Sequence, residues 1–222
     1  MNIEFARSTM ITQQIRPWEV LDDEVLELLY AVRREAFVPP AYRNLAFMDT
    51  EIPLPCGQNM LAPKLEARIL QESLLQKHEK VLEIGSGSGY MAALLAHLGS
   101  HVTTIEIEPE LCSMAQGNLD AYGISNVEVV LGNGARGWQA EAPYDVIVIS
   151  GSLPVLPDSF RQQLRPGGRL LAIVGDLPVM RMQRITRLTD GGVADGDFRI
   201  ETLFETVAAP LRETQAPSPF IF

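Results

Sequence analysis

The chain has 222 residues, 46% of them apolar and 21% charged, enough to bury a full core as one domain with at most an attached subdomain. Its formal charge of −10, from 28 acidic against 18 basic residues, argues against a nucleic-acid partner, because affinity for a phosphate backbone rests on Lys and Arg. Two cysteines, Cys56 and Cys112, are too few for a disulfide framework, and three scattered histidines lack metal-ligand spacing, so no metal and a reducing, cytoplasmic setting are expected.

The N-terminal stretch MNIEFARSTM has neither a basic leader nor an apolar h-region, and no run reaches bilayer-spanning length, so neither export nor membrane insertion is expected. Residues 1 to about 20 read as a polar segment in which Pro17 breaks any helix over Met10 to Ile15. Asp22 is a good N-cap, with Asp23 and Glu24 on the positive end of the dipole and Leu21 and Leu26 placed as a hydrophobic staple. A helix to about Glu35 follows, presenting Val25, Leu28, Leu29 and Val32 on one face and ended by Pro39 and Pro40. Residues 41 to 60 are irregular around Pro53, Pro55 and Gly57, and a long proline-bearing loop in a compact domain points to function. Pro63 opens another helix whose stripe, Leu65, Ile69, Leu70 and Leu74, belongs to the core.

The most informative stretch is VLEIGSGSGY at residues 81 to 90. Val81, Leu82 and Ile84 read as a buried strand interrupted by Glu83, and Gly85, Gly87 and Gly89 follow at alternate positions before an apolar helix. Such glycines let a ligand lie against bare backbone while the next helix points its unpaired N–H groups at it. The GxGxG spacing, unlike the GxGxxG of dinucleotide binders, favours S-adenosylmethionine over a nicotinamide cofactor. The helix runs from about Tyr90 to Leu98 and stops at Gly99; the strand from His101 to Ile107 then carries Glu106 near its end. A carboxylate about 20 residues past the glycine loop is placed to accept from ribose hydroxyls. Tyr90 either covers the ligand or packs in the core, while His97 and His101 are ordinary helix-end and strand-start residues.

The pattern repeats: a helix from Pro109 to about Tyr122, a strand from Val127 to Leu131, the turn Gly132, Asn133, Gly134, and the doubly buried strand YDVIVIS at 144 to 150. Ser150, Gly151 and Ser152 follow at the carboxyl edge, either lining an acceptor or simply permitting a tight turn. A short helix from Asp158 to Leu164, the turn RPGG and a strand from Arg169 to Val174 complete five strands alternating with helices. Residues 179 to 189 and 198 to 207 read as a hairpin around the Gly and Asp cluster 190 to 197, with Phe198, Ile200 and Phe204 on one face. The tail from Gln215 ends in Phe220, Ile221 and Phe222, either frayed or docked on a neighbour. The expected class is therefore α/β: a doubly wound, Rossmann-like, mostly parallel sheet with helices on both faces and an antiparallel C-terminal strand pair. Within one compact domain, residues 1–62 form a helical segment and substrate loop, 63–176 the cofactor-binding core, and 177–222 the hairpin and tail.

These segments together resemble the protein-L-isoaspartate O-methyltransferase family, within the class I S-adenosylmethionine-dependent methyltransferases. The likeness is carried by QQIRPWEVLDDEVLELLYAVRREAFVPP at 13–40, Gly57 and Gln58, VLEIGSGSGY at 81–90, IEIEPEL at 105–111, NVEVVLGNGARGW at 126–138, YDVIVIS at 144–150 and LRPGGRLL at 164–171. It implies S-adenosylmethionine as cofactor, a protein or peptide substrate, and methylation of the isoaspartyl carboxylate, whose ester collapses to a succinimide that can reopen as aspartate. On this basis Met60, Gly85, Ser86, Gly87, Gly89, Glu106, Asn133 and Gly134 are expected at the cofactor, and Asn59, Leu61, Ser150 and Ser152 at the methyl acceptor. Two departures stand out. Asn59, Met60 and Leu61 replace the family's Thr-Ile-Ser run, so Leu61 occupies its active-site serine position and no catalytic residue is assigned. Asn133 replaces an aspartate expected to accept from the adenine amino group, and its amide oxygen can do the same. A methyltransferase for another carboxylate and a non-catalytic cofactor-binding protein remain the alternative readings.

Overall fold

The computed structural model describes residues 2–188 and 197–214. Most of the 190–197 turn and all of the apolar tail from Gln215 lie outside the described residues. A first helix, α1 (Ile3–Met10), is capped by Asn2, whose side chain accepts from the Phe5 N–H. It widens into a π turn over Ile11–Ile15 before a 3-10 turn over Arg16–Trp18. The polar, helix-free reading of this segment is thus corrected: Met10, Ile11 and Ile15 are buried and anchor it to the core. In the widened turn the Arg16 N–H reaches back five residues to Ile11, so helical bonding finishes on the residue before Pro17, where proline forfeits nothing.

Helix α2 (Asp23–Ala31) starts where expected, with the Asp22 carboxylate accepting from the Glu24 and Val25 N–H groups at 2.9 and 3.2 Å. It stops earlier than its prolines suggest, because the Tyr122 hydroxyl accepts from the Arg33 N–H and donates to the Ala31 carbonyl, both at 2.8 Å. Val32 is extended, and a short 3-10 turn, Arg34–Ala36, follows. The loop beyond holds a 3-10 turn (Pro40–Leu45) and a two-residue antiparallel ladder between β1 (Ile52–Pro53) and β2 (Asn59–Met60). Helix α3 (Pro63–Ser73) buries Leu65, Ile69 and Leu70, but Leu74 is the left-handed C-cap and points into solvent, 55% exposed, not into the core.

The remaining elements are β3 (Lys80–Ile84), α4 (Tyr90–Leu98), β4 (His101–Glu106), α5 (Pro109–Tyr122), β5 (Val127–Leu131), β6 (Tyr144–Leu153), α6 (Asp158–Gln162), β7 (Leu164–Val174), β8 (Met180–Arg187) and β9 (Phe198–Thr206). Among the described residues they build one seven-stranded sheet in the order β5-β4-β3-β6-β7-β8-β9. The first five strands of that order run parallel, and β8 and β9 add antiparallel. The doubly wound fold with an antiparallel C-terminal pair is therefore present. Alternation along the strands sorts the core onto two faces: Val81, Val102, Val146 and Val148 meet α2 to α5, while Leu82, Ile84, Ile147 and Ile149 meet α6 and Trp138.

Two boundary expectations and one strand facing are revised by pairing. Strand β6 continues to Leu153, and β7 begins at Leu164, taking in the RPGG segment where its register with β6 shifts. In β9 the partners of Met182 and Gln183 are Phe204 and Thr202, so Leu203 is an extra, bulged residue. That bulge reverses the strand's facing: Phe198 packs on the α6 side and Phe204 on the opposite side, against Trp18 at 5.9 Å. Ile200, expected beside them, is exposed.

Helix α3 ends on a buried polar joint. Arg169 of β7 donates to the Ser73 and Leu74 carbonyls at 2.5 and 2.6 Å and to both oxygens of Glu79 at 2.6 and 2.7 Å. Burial works to raise the Glu79 carboxyl, but Arg169 and the Gln76 N–H outweigh it and hold it below its ordinary value. Its contribution to stability is therefore present above the unfolded carboxylate range and lost on acidification. Arg169→Met should lower the unfolding free energy by about 3 kcal/mol at neutral pH, since it strands a carboxylate and two carbonyls. Urea unfolding should show that deficit shrinking as the pH falls; an unchanged midpoint at pH 7 would contradict the joint.

Candidate cofactor and acceptor site

The strand order reverses between β3 and β6, and the crevice at that switch point is where doubly wound sheets bind ligands. The cleft there spans about 790 Å³ of free space, part of it open solvent, and such crevices are where small ligands are held. Its floor is the loop after β3. Gly85 and Gly87 take φ of +91° and +52°, and a methyl group on Gly85 would lie 3.2 Å from Leu211 and 3.4 Å from the Ser150 carbonyl. A side chain at either position would be strained and would fill the cradle.

Gly89 behaves differently from expectation. Its absent side chain makes room for α5, with the Ala115 carbonyl 3.2 Å from where a Cβ would stand, and it caps α4 without lining the cleft. It serves close packing, not ligand contact. Gly134 lines the cleft and also packs tightly: a Cβ there would lie 2.9 Å from Ile84.

Glu106 at the end of β4 is the best-fixed group in the cleft. Its Oε2 accepts from the Gly87 N–H at 3.0 Å, and its Oε1 from the N–H groups of Ile107 and Glu108 at 2.9 and 3.1 Å. A carboxylate offers about four lone-pair sites, so a ribose hydroxyl could still donate to Oε2. Ile84, Ile105, Ile107, Leu111 and Leu211 supply apolar walls, with Asn133 at their edge. The Asn133 oxygen accepts from the Ala135 N–H at 2.9 Å, and its amide donates to Glu213 at 2.6 Å. The amide is thus turned so that its oxygen keeps a second lone pair, as contact with an adenine amino group needs. A cradle of bare backbone, an ionisable acceptor for ribose and apolar walls for a ring fit an adenosyl cofactor.

Beneath Glu106 lies a carboxyl that sequence reasoning treated only as a strand interruption. Glu83 is fully buried, accepts from the Thr104 hydroxyl at 2.7 Å and the Ser150 hydroxyl at 2.8 Å, and lines the cleft. Burial pushes it up to about 8; the two hydroxyls oppose this, while the charges of Glu106 and Glu66 add to it. Ser86 joins the network through Thr104 at 2.7 Å. The alternation that buries Val81 also carries Glu83, and only its position beside the glycine loop hinted at a role.

Asn59, Leu61 and Ser150, expected at the acceptor, and Met60, expected at the cofactor, all line this cleft, with Met60 and Leu61 buried and Asn59 bonded to Glu51 at 3.1 Å. Ser152 does not join them. It is fully buried, donates to the Ala208 carbonyl at 2.9 Å and ties down the segment after β9. That segment was missed altogether. Backbone bonds between Ser152 and residues 209 and 211 lay Leu211 over Gly151 and Gly85, and Arg212 joins Glu108 to the Cys56 carbonyl. Tyr90, Glu66 and Arg34 were also not assigned to the site. Tyr90 packs 5.5 Å from Phe37 under the Arg34 guanidinium and also borders the cleft. At the far end of the strands His101, Glu128 and Glu141 approach within 4.8 Å. There Glu141 already accepts from Thr103 at 2.8 Å and faces Lys80 at 3.4 Å.

A model of the protein-L-isoaspartate(D-aspartate) O-methyltransferase family matches residues 6–214. The chain is 42% identical over 206 residues to protein-L-isoaspartate O-methyltransferase 1 of Rhodopseudomonas palustris, covering 92% of this chain and 82% of that one. It is 38% identical over 194 residues to the protein-L-isoaspartate O-methyltransferase of Methanoculleus marisnigri, covering 84% and 88%. Among solved structures, a protein-L-isoaspartate O-methyltransferase superposes with a TM-score of 0.75 at 24% identity, covering 95% of this chain and 67% of that one. A putative protein-L-isoaspartate O-methyltransferase from Plasmodium falciparum, bound to S-adenosyl-L-homocysteine, gives 0.76 at 19% identity, covering 94% and 98%. At those identities the structures speak for the fold.

Replacing Glu106 with alanine should weaken S-adenosyl-L-homocysteine binding by roughly ten- to a hundredfold, the worth of hydrogen bonds to a charged group. Calorimetric titration would show it, and affinity within twofold of the parent would remove Glu106 from the site.

Proposed function

Because the chain belongs to the protein-L-isoaspartate(D-aspartate) O-methyltransferase family, whose members are S-adenosylmethionine-dependent methyltransferases, we propose that the cleft methylates the side-chain carboxylate of L-isoaspartyl residues in proteins and peptides. The observation that carries this reading is the Glu106 carboxylate, oriented by three backbone N–H groups at the rim of the glycine loop. S-adenosylmethionine, when bound, supplies a methyl group activated by its sulfonium sulfur. Glu106 and the loop Gly85 to Gly87 hold its ribose and amino-acid portions, and Asn133 meets the adenine edge.

What the chain must do is place the nucleophile. An acceptor carboxylate with a reference pKa of about 4 is already ionised at neutral pH, so no general base is required. Alignment at roughly 3 to 3.5 Å and exclusion of water supply most of the advantage. Leu54 and Leu61, both buried, make the acceptor side dry. Free Cys56 and Cys112 suit a cytoplasmic setting, which is part of the proposal. Among the described residues no helix is long and apolar enough to cross a membrane. The net charge of −10 supports protein and not nucleic acid as substrate.

One observation favours a second acceptor. Leu61 stands at the position that matches the family's serine and cannot donate a hydrogen bond, which admits a different carboxylate, in a modified peptide or small acid. Radiolabelled methyl transfer to an isoaspartyl peptide, set against aspartyl peptide and a panel of acids, decides between them. Leu61→Ser should raise kcat/KM for the isoaspartyl peptide by up to about tenfold, one added charge-assisted hydrogen bond in the transition state. No gain would show that residue 61 does not orient the acceptor.

A further inference from the structure

Glu66 lies five residues beyond Leu61, in the first turn of α3, and borders the same cleft while only 3% exposed. Its placement is rigid. Arg34 pairs with its Oε2, donates from Nη2 to the Leu61 carbonyl at 2.8 Å, and donates from Nε to the Ala46 carbonyl at 3.1 Å. One guanidinium thus fixes the carboxyl and the backbone of residue 61 relative to each other. Oε1 of Glu66 takes no hydrogen bond from any described side chain or backbone group. Next to it the Tyr90 hydroxyl, equally buried, has no partner either. Buried polar atoms are normally bonded, so the unpartnered Tyr90 hydroxyl, beside a carboxyl that borders the cleft, calls for a polar ligand at the acceptor end.

Resting on the isoaspartyl reading above, we propose that Glu66, held by Arg34, hydrogen-bonds the acceptor carboxylate in place of the hydroxyl that Leu61 lacks. The neutral carboxyl donates its O–H to one acceptor oxygen and leaves the other free for the methyl group. Burial raises Glu66 to about 7, against the charge and hydrogen bond of Arg34, so the donating form is populated at neutral pH. The charged and titratable groups facing it are Arg34 from the 3-10 turn, Tyr90 from α4 and Glu83 from β3. Arg34 favours the ionised form; Glu83, where ionised, and an arriving acceptor anion favour the neutral one.

The test compares Glu66→Gln and Glu66→Leu in the full chain. Glutamine keeps an oxygen for Arg34 and turns a permanent N–H donor toward the cleft; leucine offers neither. For the parent, kcat/KM toward an isoaspartyl peptide should fall as the pH rises through about 7. In Glu66→Gln that fall should vanish, with activity at pH 8.5 several-fold above the parent. Glu66→Leu should lose roughly tenfold or more in kcat/KM while binding S-adenosyl-L-homocysteine as the parent does, and Leu61→Ser should help it more than it helps the parent. Thermal unfolding of each variant separates these effects from loss of Arg34's partner. A Glu66→Gln profile that keeps the parent's pH dependence, or a folded Glu66→Leu as active as the parent, overturns the assignment alone. No transfer to the isoaspartyl peptide by the parent or by Leu61→Ser at any pH overturns the acceptor reading itself, and this assignment with it.

Discussion

The site depends on the parallel register of three central strands. Ile84 of β3 lies level with Ile105 of β4 on one side and with Ile149 of β6 on the other, and the Gly85 N–H extends the ladder by bonding the Ile105 carbonyl at 2.9 Å. The residues next along each chain, Gly85, Glu106 and Ser150, are thereby delivered to one rim. A slip of one residue in any of these pairings would turn Glu106 to the wrong face and break its bond to the Gly87 amide. The apolar alternation that drives the strands into the sheet is what sets the register, so burial and ligand geometry share one cause.

Charge is handled in the same economical way. The cleft gathers three carboxyls, Glu66, Glu83 and Glu106, around a place where a cationic cofactor and an anionic acceptor would meet. Only Glu106 is held by backbone amides throughout; Glu83 is held by hydroxyls and Glu66 by a single guanidinium. Environment therefore gives three chemically identical groups different surroundings, and burial lifts Glu66 and Glu83 toward neutrality.

What was legible in the sequence is what local chemistry dictates. The glycine spacing, Glu106, the Asp22 cap, Pro63 at a helix start and Gly99 at a helix end needed no knowledge of distant neighbours, and each stands where it was expected. What escaped was set by contacts between remote segments. The end of α2 is fixed by Tyr122, the face of Phe204 by a bulge, the role of Gly89 by α5, and that of Ser152 by residue 208. Glu83 escaped because a charged residue within an apolar strand reads as a flaw until Thr104 and Ser150 are seen beside it. The family resemblance drew attention to Leu61 and passed over Arg34, which grips that residue's carbonyl.

The roof of the cleft has a temporal consequence. Leu54 and Leu211 close over the glycine loop from opposite ends of the chain, and Arg212 staples the later arrival to the earlier loop at Cys56. A ribosome releases Leu54 early and Leu211 late, 37 residues after β7 ends at Val174. Until Leu211 and Arg212 have emerged, the cover over Gly85 and the staple to Cys56 are both missing. A message truncated before them would specify the groove without its lid.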